Sequence, residues 1–276
     1  MQVETVDYRA ADAAETLERS LRDTGFAVLA NHPITPERID AVYGAWGRFF
    51  AGDDKFGYAV KPPAHDGYFA FRSENAKDSA TKDLKEFFHV YPGCQLPDEL
   101  DDLTRQVYAD LETLGRELLG WIEGRAPASI TDNLSMPLGD MMEGSDQSLL
   151  RILHYPPVED AEPGAIRAAA HEDINLITLL LSGSRPGLQA RDADGGWHDI
   201  ACDPGMITIN NGDMLAMATD NYFPSTTHRV TNPDTGQNVS RYSMPMFLHP
   251  RPDAPLRPDL TADQYLQRRL KEIGLK

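Results

Sequence analysis

The spacing of apolar residues changes once along this chain of 276 residues, and that change limits what it can fold into. Up to about Glu123 the spacing is helical. Leu100, Leu103, Val107, Leu111, Leu114 and Leu118 form one stripe on a predicted helix from Asp98 to Glu123. Ile39, Val42, Trp46 and Phe49 give another helix its apolar face, started by Thr35 as cap and Pro36 in the first turn. Asp12 with Glu15 resembles a capping box for an earlier helix, Gly25 is its expected stop, and Phe26 to Ala30 reads as a short strand. Lys61 to Ser79, rich in Gly, Pro, Asp and aromatics, reads as a loop. From about Ser148 short strands take over, parted by Gly, Pro, Asp and Asn. They are Leu150 to Tyr155, Ile174 to Leu181, Leu188 to Arg191, Met206 to Ile209 and Tyr242 to Leu248. Asp192 to Gly196 reads as a hairpin turn, and Thr261 with Gln264 caps a last helix ending near Gly274. The pattern predicts a mainly β chain with N-terminal helices and a jelly-roll core: a helical region over 1–125 packed on a β region over 126–276, one structural unit.

Composition narrows the partners. The formal net charge is −17 and the isoelectric point about 4.8, which disfavours nucleic-acid phosphate and anionic membrane surfaces. No apolar run of about 18 residues is present to span a membrane, and the polar N-terminus lacks a leader's apolar stretch. Cys94 and Cys202 stand in no metal or redox spacing, as expected of thiols in a reducing compartment. A cytoplasmic protein is the expectation; oligomeric state is not legible.

The chemistry concentrates in one ordered set: His171-Glu172-Asp173, then His228, then Arg241-Tyr242-Ser243. Taken singly, each residue reads as a polar side chain at a strand end. Together, two imidazoles and one carboxylate can occupy one face of an octahedral metal and leave other positions open, the arrangement of non-heme Fe(II) oxygenases. Alternate residues of a strand share a face, so His171 and Asp173 project together while Glu172 points elsewhere, and Arg241 shares a face with Ser243. A zinc-protease reading fails, because Asn175 stands where its second histidine is required. A guanidinium such as Arg241 suits bidentate capture of a carboxylate, and in so acidic a chain an anionic co-substrate needs a local cation.

Over nearly its whole length the sequence resembles the isopenicillin N synthase-like family of iron- and 2-oxoglutarate-dependent dioxygenases. Gly25-Phe26 with Asn31-His32-Pro33-Ile34 resembles its "GF…NHGI" segment, with Pro33 in place of Gly. Lys82-Asp83-Leu84-Lys85-Glu86 resembles "KDxKE", and Leu150 to Pro157 resembles "LRxNYYPP". The resemblance implies a double-stranded β-helix with N-terminal helices packed on it. It makes His171, Asp173 and His228 the Fe(II) ligands, and Arg241 and Ser243 the pair that binds the distal carboxylate of 2-oxoglutarate, assisted by Tyr155. The family's Asn is Leu153 here and its first Tyr is His154. The implied activity is O2-dependent oxidation of a small molecule, by hydroxylation, desaturation or ring closure, with release of succinate and CO2. Two other readings stay open: an Fe(II) oxidase like isopenicillin N synthase that takes no 2-oxoglutarate, and a non-catalytic jelly-roll sensor of a metal or small acid.

His65, Tyr68, Phe69 and Arg72 are candidate substrate contacts, because in the resembling family this region often faces the iron; a plain surface loop is the alternative. His32, His89, His198 and His249 read as structural. Met206, Met214, Met217, Met244 and Met246 read as core filling, and Lys82, Lys85 and Glu86 as a solvated face.

Overall fold

The computed structural model describes residues 1–73, 82–157, 166–181, 185–200, 203–232 and 238–272. The first part of the chain interleaves strands and helices: β1 (Thr5–Asp7), α1 (Ala13–Thr24), β2 (Phe26–Ala30), α2 (Pro36–Ala51), β3 (Gly67–Phe69), β4 (Glu86–Val90) and α3 (Asp98–Arg125). After α4 (Ala128–Thr131) come β5 (Leu149–Tyr155), β6 (Ala168–His171), β7 (Ile177–Leu181), β8 (Leu188–Arg191), β9 (Trp197–Asp199) and β10 (Ile207–Asn211). Then follow α5 (Asp213–Ala218), β11 (His228–Val230), β12 (Arg241–Leu248), β13 (Pro255–Arg257), β14 (Leu260–Thr261) and α6 (Ala262–Glu272).

Eight strands form one sheet in the order β1-β2-β10-β7-β12-β5-β4-β3, and four form a second in the order β6-β11-β8-β9. The sheets face each other: Phe26 and Val28 of β2 pack with Ala190 of β8 and Ile200. This is the jelly-roll core, and it is open rather than a closed barrel. Period two along each strand sorts the large sheet. Phe88, Ile152, Leu179, Ile209, Met244 and Met246 join the main core with Trp46, Leu111 and Leu118 of the helices. Phe69, Phe87, Leu153 and Tyr155 form a separate cluster on the inner face. The predicted α3 stripe is buried apart from Leu103, which is partly so. Burying each such side chain contributes about 1.5–3 kcal/mol. Gly115 lets α3 lie close on β12, since a Cβ there would stand 1.9 Å from Leu248 Cδ1.

Three expectations differ from what is observed. The segment before residue 125 supplies four of the eight strands of the large sheet, so that boundary separates no independent helical region. Lys85 and Glu86 are not solvated: both are buried, Lys85 on Asp83 at 2.9 Å and Glu86 on Lys55 at 3.0 Å. Asp12 precedes α1 without a side-chain cap, whereas Thr35 caps Arg38 N at 3.3 Å and Thr261 with Gln264 forms the reciprocal box at 3.0 and 3.3 Å. Met214, Met244 and Met246 are core; Met206 and Met217 are partly buried against it. Cys94 is a buried free thiol, while Cys202 and Gly274 lie outside the described residues.

Candidate functional site

β6 ends on His171 and β11 begins on His228, and antiparallel pairing sets these two residues directly opposite each other. Their rings lie 4.4 Å apart between centroids. Asp173 follows β6 and places Oδ1 3.8 Å from Nε2 of each histidine. One ligand atom from each residue lies within 4.8 Å of the others, the one such group of metal-binding side chains among the described residues.

Hydrogen bonds decide which atom each residue offers. His171 Nδ1 donates to the Ala169 carbonyl at 2.7 Å and His228 Nδ1 to the Thr226 carbonyl at 3.2 Å. A carbonyl only accepts, so the protons sit on Nδ1 and both Nε2 lone pairs face the centre. Asp173 Oδ2 accepts from Thr178 Oγ1 at 2.6 Å and Asn210 Nδ2 at 2.8 Å, which leaves Oδ1 inward. Desolvating surroundings and the facing His228 ring pull His171 down to about 4, although one ring edge reaches solvent. Burial alone would raise Asp173, but the two imidazoles, Thr178 and Asn210 outweigh it and hold the carboxyl below its usual range. Two neutral imidazoles and a carboxylate form a donor set suited to a divalent transition metal. Glu172 turns away and accepts a hydrogen bond from Thr227.

On the large sheet, register sets Arg241 against Tyr155 and Ser243 against Leu153. Arg241 and Ser243 are buried, and the Arg241 guanidinium lies 5.2 Å from the Tyr155 ring centroid. Arg241 Nε donates to the Arg185 carbonyl at 3.0 Å, while Nη1 is buried without a hydrogen-bond partner among the described residues. An orphaned guanidinium donor is costly, and a carboxylate ligand would satisfy it. Leu153, at the position of the family's Asn, packs with Phe87 and Tyr155, so that position offers the co-substrate no hydrogen bond. His154 lies on the outer face, bonded to Glu86 at 2.7 Å.

The four candidate substrate contacts part company. Phe69 lies on the inner face, stacked on Phe87 at 4.6 Å. Tyr68, its neighbour, points the other way into the helical core and bonds Glu86 at 2.5 Å, which corrects its expected placement over the metal. His65 is exposed and its carbonyl bonds His89 Nδ1 at 2.9 Å. Arg72 adopts a left-handed backbone, φ 61°, with its guanidinium over Phe71. The motif reading missed Thr178, Asn210 and Arg167. Arg167 is buried, donates to the Val239 carbonyl at 2.9 Å and stands 5.9 Å from the Tyr155 ring. Burial, then repulsion from Arg241, lower its pKa.

The 2OG-Fe(II) oxygenase superfamily pattern matches residues 146–250, and that of the non-haem dioxygenase in morphine synthesis N-terminal matches residues 3–109. A proline hydroxylase from Petromyces alliaceus is 30% identical over 98% of this chain and 99% of its own length. A Shewanella oneidensis crystal structure superposes with a TM-score of 0.91 at 48% identity, covering 100% of both chains. A full-length Neurospora crassa protein solved in complex with alpha-KG superposes with a TM-score of 0.78 at 25% identity, over 97% of this chain and 95% of its own.

Proposed function

We propose that this chain, which belongs to the 2OG-Fe(II) oxygenase superfamily, binds Fe(II) through His171, Asp173 and His228 and oxidises a small organic molecule. Fe(II) with 2-oxoglutarate and O2 supplies oxidation of a C–H bond, releasing succinate and CO2. The observation that carries the assignment is the convergence of three ligand atoms, each fixed by a hydrogen bond on its residue's other polar atom. The backbone carbonyls of Ala169 and Thr226 orient the imidazoles, and Thr178 with Asn210 orients the carboxylate, so the chain is organised for the metal before binding it. Arg241, through its unsatisfied Nη1, takes the far carboxylate of 2-oxoglutarate, with Ser243 on the same face and the Tyr155 ring beside it. Leu153, Phe87 and Phe69 provide the apolar wall that keeps water from the reacting carbon. Net charge of −17 argues against a nucleic-acid substrate. No described helix is long and apolar enough to cross a membrane.

Succinate release tests this reading. Protein reconstituted with Fe(II) is expected to convert 2-oxoglutarate to succinate slowly without a prime substrate and faster with one, only in the presence of O2. His228→Ala is expected to lose both iron stoichiometry and succinate release while keeping its fold. Oxygen consumption that ignores 2-oxoglutarate would instead identify an oxidase of the isopenicillin N synthase kind; iron binding without oxygen consumption would identify a sensor.

A further inference from the structure

We infer that Arg167 is a second guanidinium of the co-substrate site: with Arg241 it grips the far carboxylate of 2-oxoglutarate, and the pair selects 2-oxo acids that end in a carboxylate. The inference rests on the placement of 2-oxoglutarate at Arg241 and adds a contact to it. Arg167 immediately precedes β6, four residues before His171. Its guanidinium lies 5.9 Å from the Tyr155 ring centroid, and that of Arg241 lies 5.2 Å from the same centroid. Tyr155 pairs in register with Arg241 on the large sheet, so one ring is approached by an arginine from each sheet's strands or their flank. Arg167 Nη2 donates to the Val239 carbonyl at 2.9 Å, two residues before Arg241. That bond ties the start of β6 to the start of β12 and holds the guanidinium in place.

Charge gives the pair its meaning. Both side chains are buried, with 4% and 2% of their surface exposed. Among the described residues the titratable groups acting on Arg167 are Arg241, which repels it, and Tyr155; neither is a carboxylate. The side-chain hydrogen bonds of the pair go to the main-chain carbonyls of Val239 and Arg185, which accept without neutralising. Asp83, which reaches β6 at the Ala169 amide at 3.3 Å, is paired with Lys85 at 2.9 Å. Two buried cations held together without an anion are costly. A carboxylate has two oxygens and about four acceptor sites, enough for two guanidiniums. One bound carboxylate therefore satisfies Arg241 Nη1 and cancels the repulsion from Arg167. A 2-oxo acid without that carboxylate leaves both cations unanswered, which is a basis for rejecting it.

The experiment is an anaerobic titration of the Fe(II) protein with two matched probes, followed by the metal-to-ligand absorption band. The probes are 2-oxoglutarate and 2-oxopentanoate, which carries a methyl group in place of the far carboxylate. Arg167→Gln is expected to bind 2-oxoglutarate about tenfold or more weakly than the wild type and 2-oxopentanoate with unchanged affinity. Arg167→Lys should lie between the two proteins. The band with 2-oxopentanoate reports that each variant is folded and holds iron. A variant that titrates like the wild type overturns the inference alone, and so does equal weakening of both probes, which marks a structural role. Should Arg167→Gln give no band with either probe, Arg167→Lys carries the comparison: weakening confined to 2-oxoglutarate supports the inference, and any other result overturns it. A wild type that forms no band with 2-oxoglutarate overturns the reading at Arg241, and the inference with it.

Discussion

At the residue scale the His171, Asp173 and His228 group works by subtraction: each side-chain polar atom of the three that is not aimed at the centre is already bonded. That is why Thr178 and Asn210 matter as much as their distances to Asp173 Oδ2 imply, 2.6 and 2.8 Å. Removing such a partner typically weakens a metal site by about 10–100-fold. Thr178→Val is therefore expected to lower Fe(II) affinity by about that factor in an anaerobic competition with a chelator, while stoichiometry at saturating iron stays unchanged. Equal affinity in the two proteins would show that Asp173 needs no support. The grouping of His171, Asp173 and His228 was legible in the sequence because metal chemistry admits few residue types and the motif fixes their order. Thr178, Asn210 and Arg167 were not, because a Thr, an Asn or an Arg acquires its role only when strand register sets it beside the site.

At the element scale β4 shows what local pattern hides. Its neighbourhood reads as charged and solvated, yet Glu86 is buried and accepts from His154 at 2.7 Å, Lys55 at 3.0 Å and Tyr68 at 2.5 Å. Period two places Glu86 and Phe88 against the helices and Phe87 inward, so the strand is buried on both faces. Burial would raise the Glu86 carboxyl, but its three partners outweigh it and hold the pKa below 4.5. A carboxyl depressed by folding stabilises above its unfolded value, and that contribution is lost as pH falls through the folded value. The wild-type melting temperature should thus fall below about pH 4.5, and Glu86→Gln should fall less steeply from a lower start. Breaking such a buried pair costs about 3 kcal/mol near neutrality. Thermal melts from pH 3 to 7 read both effects; parallel curves would deny the coupling. Gly25 is a second case, legible from sequence as the stop of α1. It takes φ 73°, and a Cβ there would stand 2.9 Å from the Pro224 carbonyl and 2.2 Å from Thr226 Oγ1. Gly25→Ala should cost about 2 kcal/mol in denaturant unfolding; a change below about 0.5 kcal/mol would mean the turn relaxes freely.

At the scale of the whole molecule, two facing sheets bring β6 and β11 of one wall over β7, β10 and β12 of the other, so residues far apart in sequence share one cup. The switch from helical to strand spacing revealed that architecture in outline. It did not reveal that the first part of the chain completes the large sheet, since β1 and β3 have three residues each and carry too short an alternation to read. In a chain of net charge −17 an anionic co-substrate needs a local cation, and the buried Arg241, whose Nη1 has no hydrogen-bond partner among the described residues, is the proposed one. The most direct test is an anaerobic titration of the Fe(II) protein with 2-oxoglutarate, followed by the metal-to-ligand absorption band. The wild type is expected to saturate with one equivalent. Arg241→Leu, which removes one member of a buried charge pair worth about 2–5 kcal/mol, is expected to bind about two or more orders of magnitude more weakly with iron content unchanged. A wild type that shows no band, or an Arg241→Leu protein that titrates like the wild type, would contradict the account.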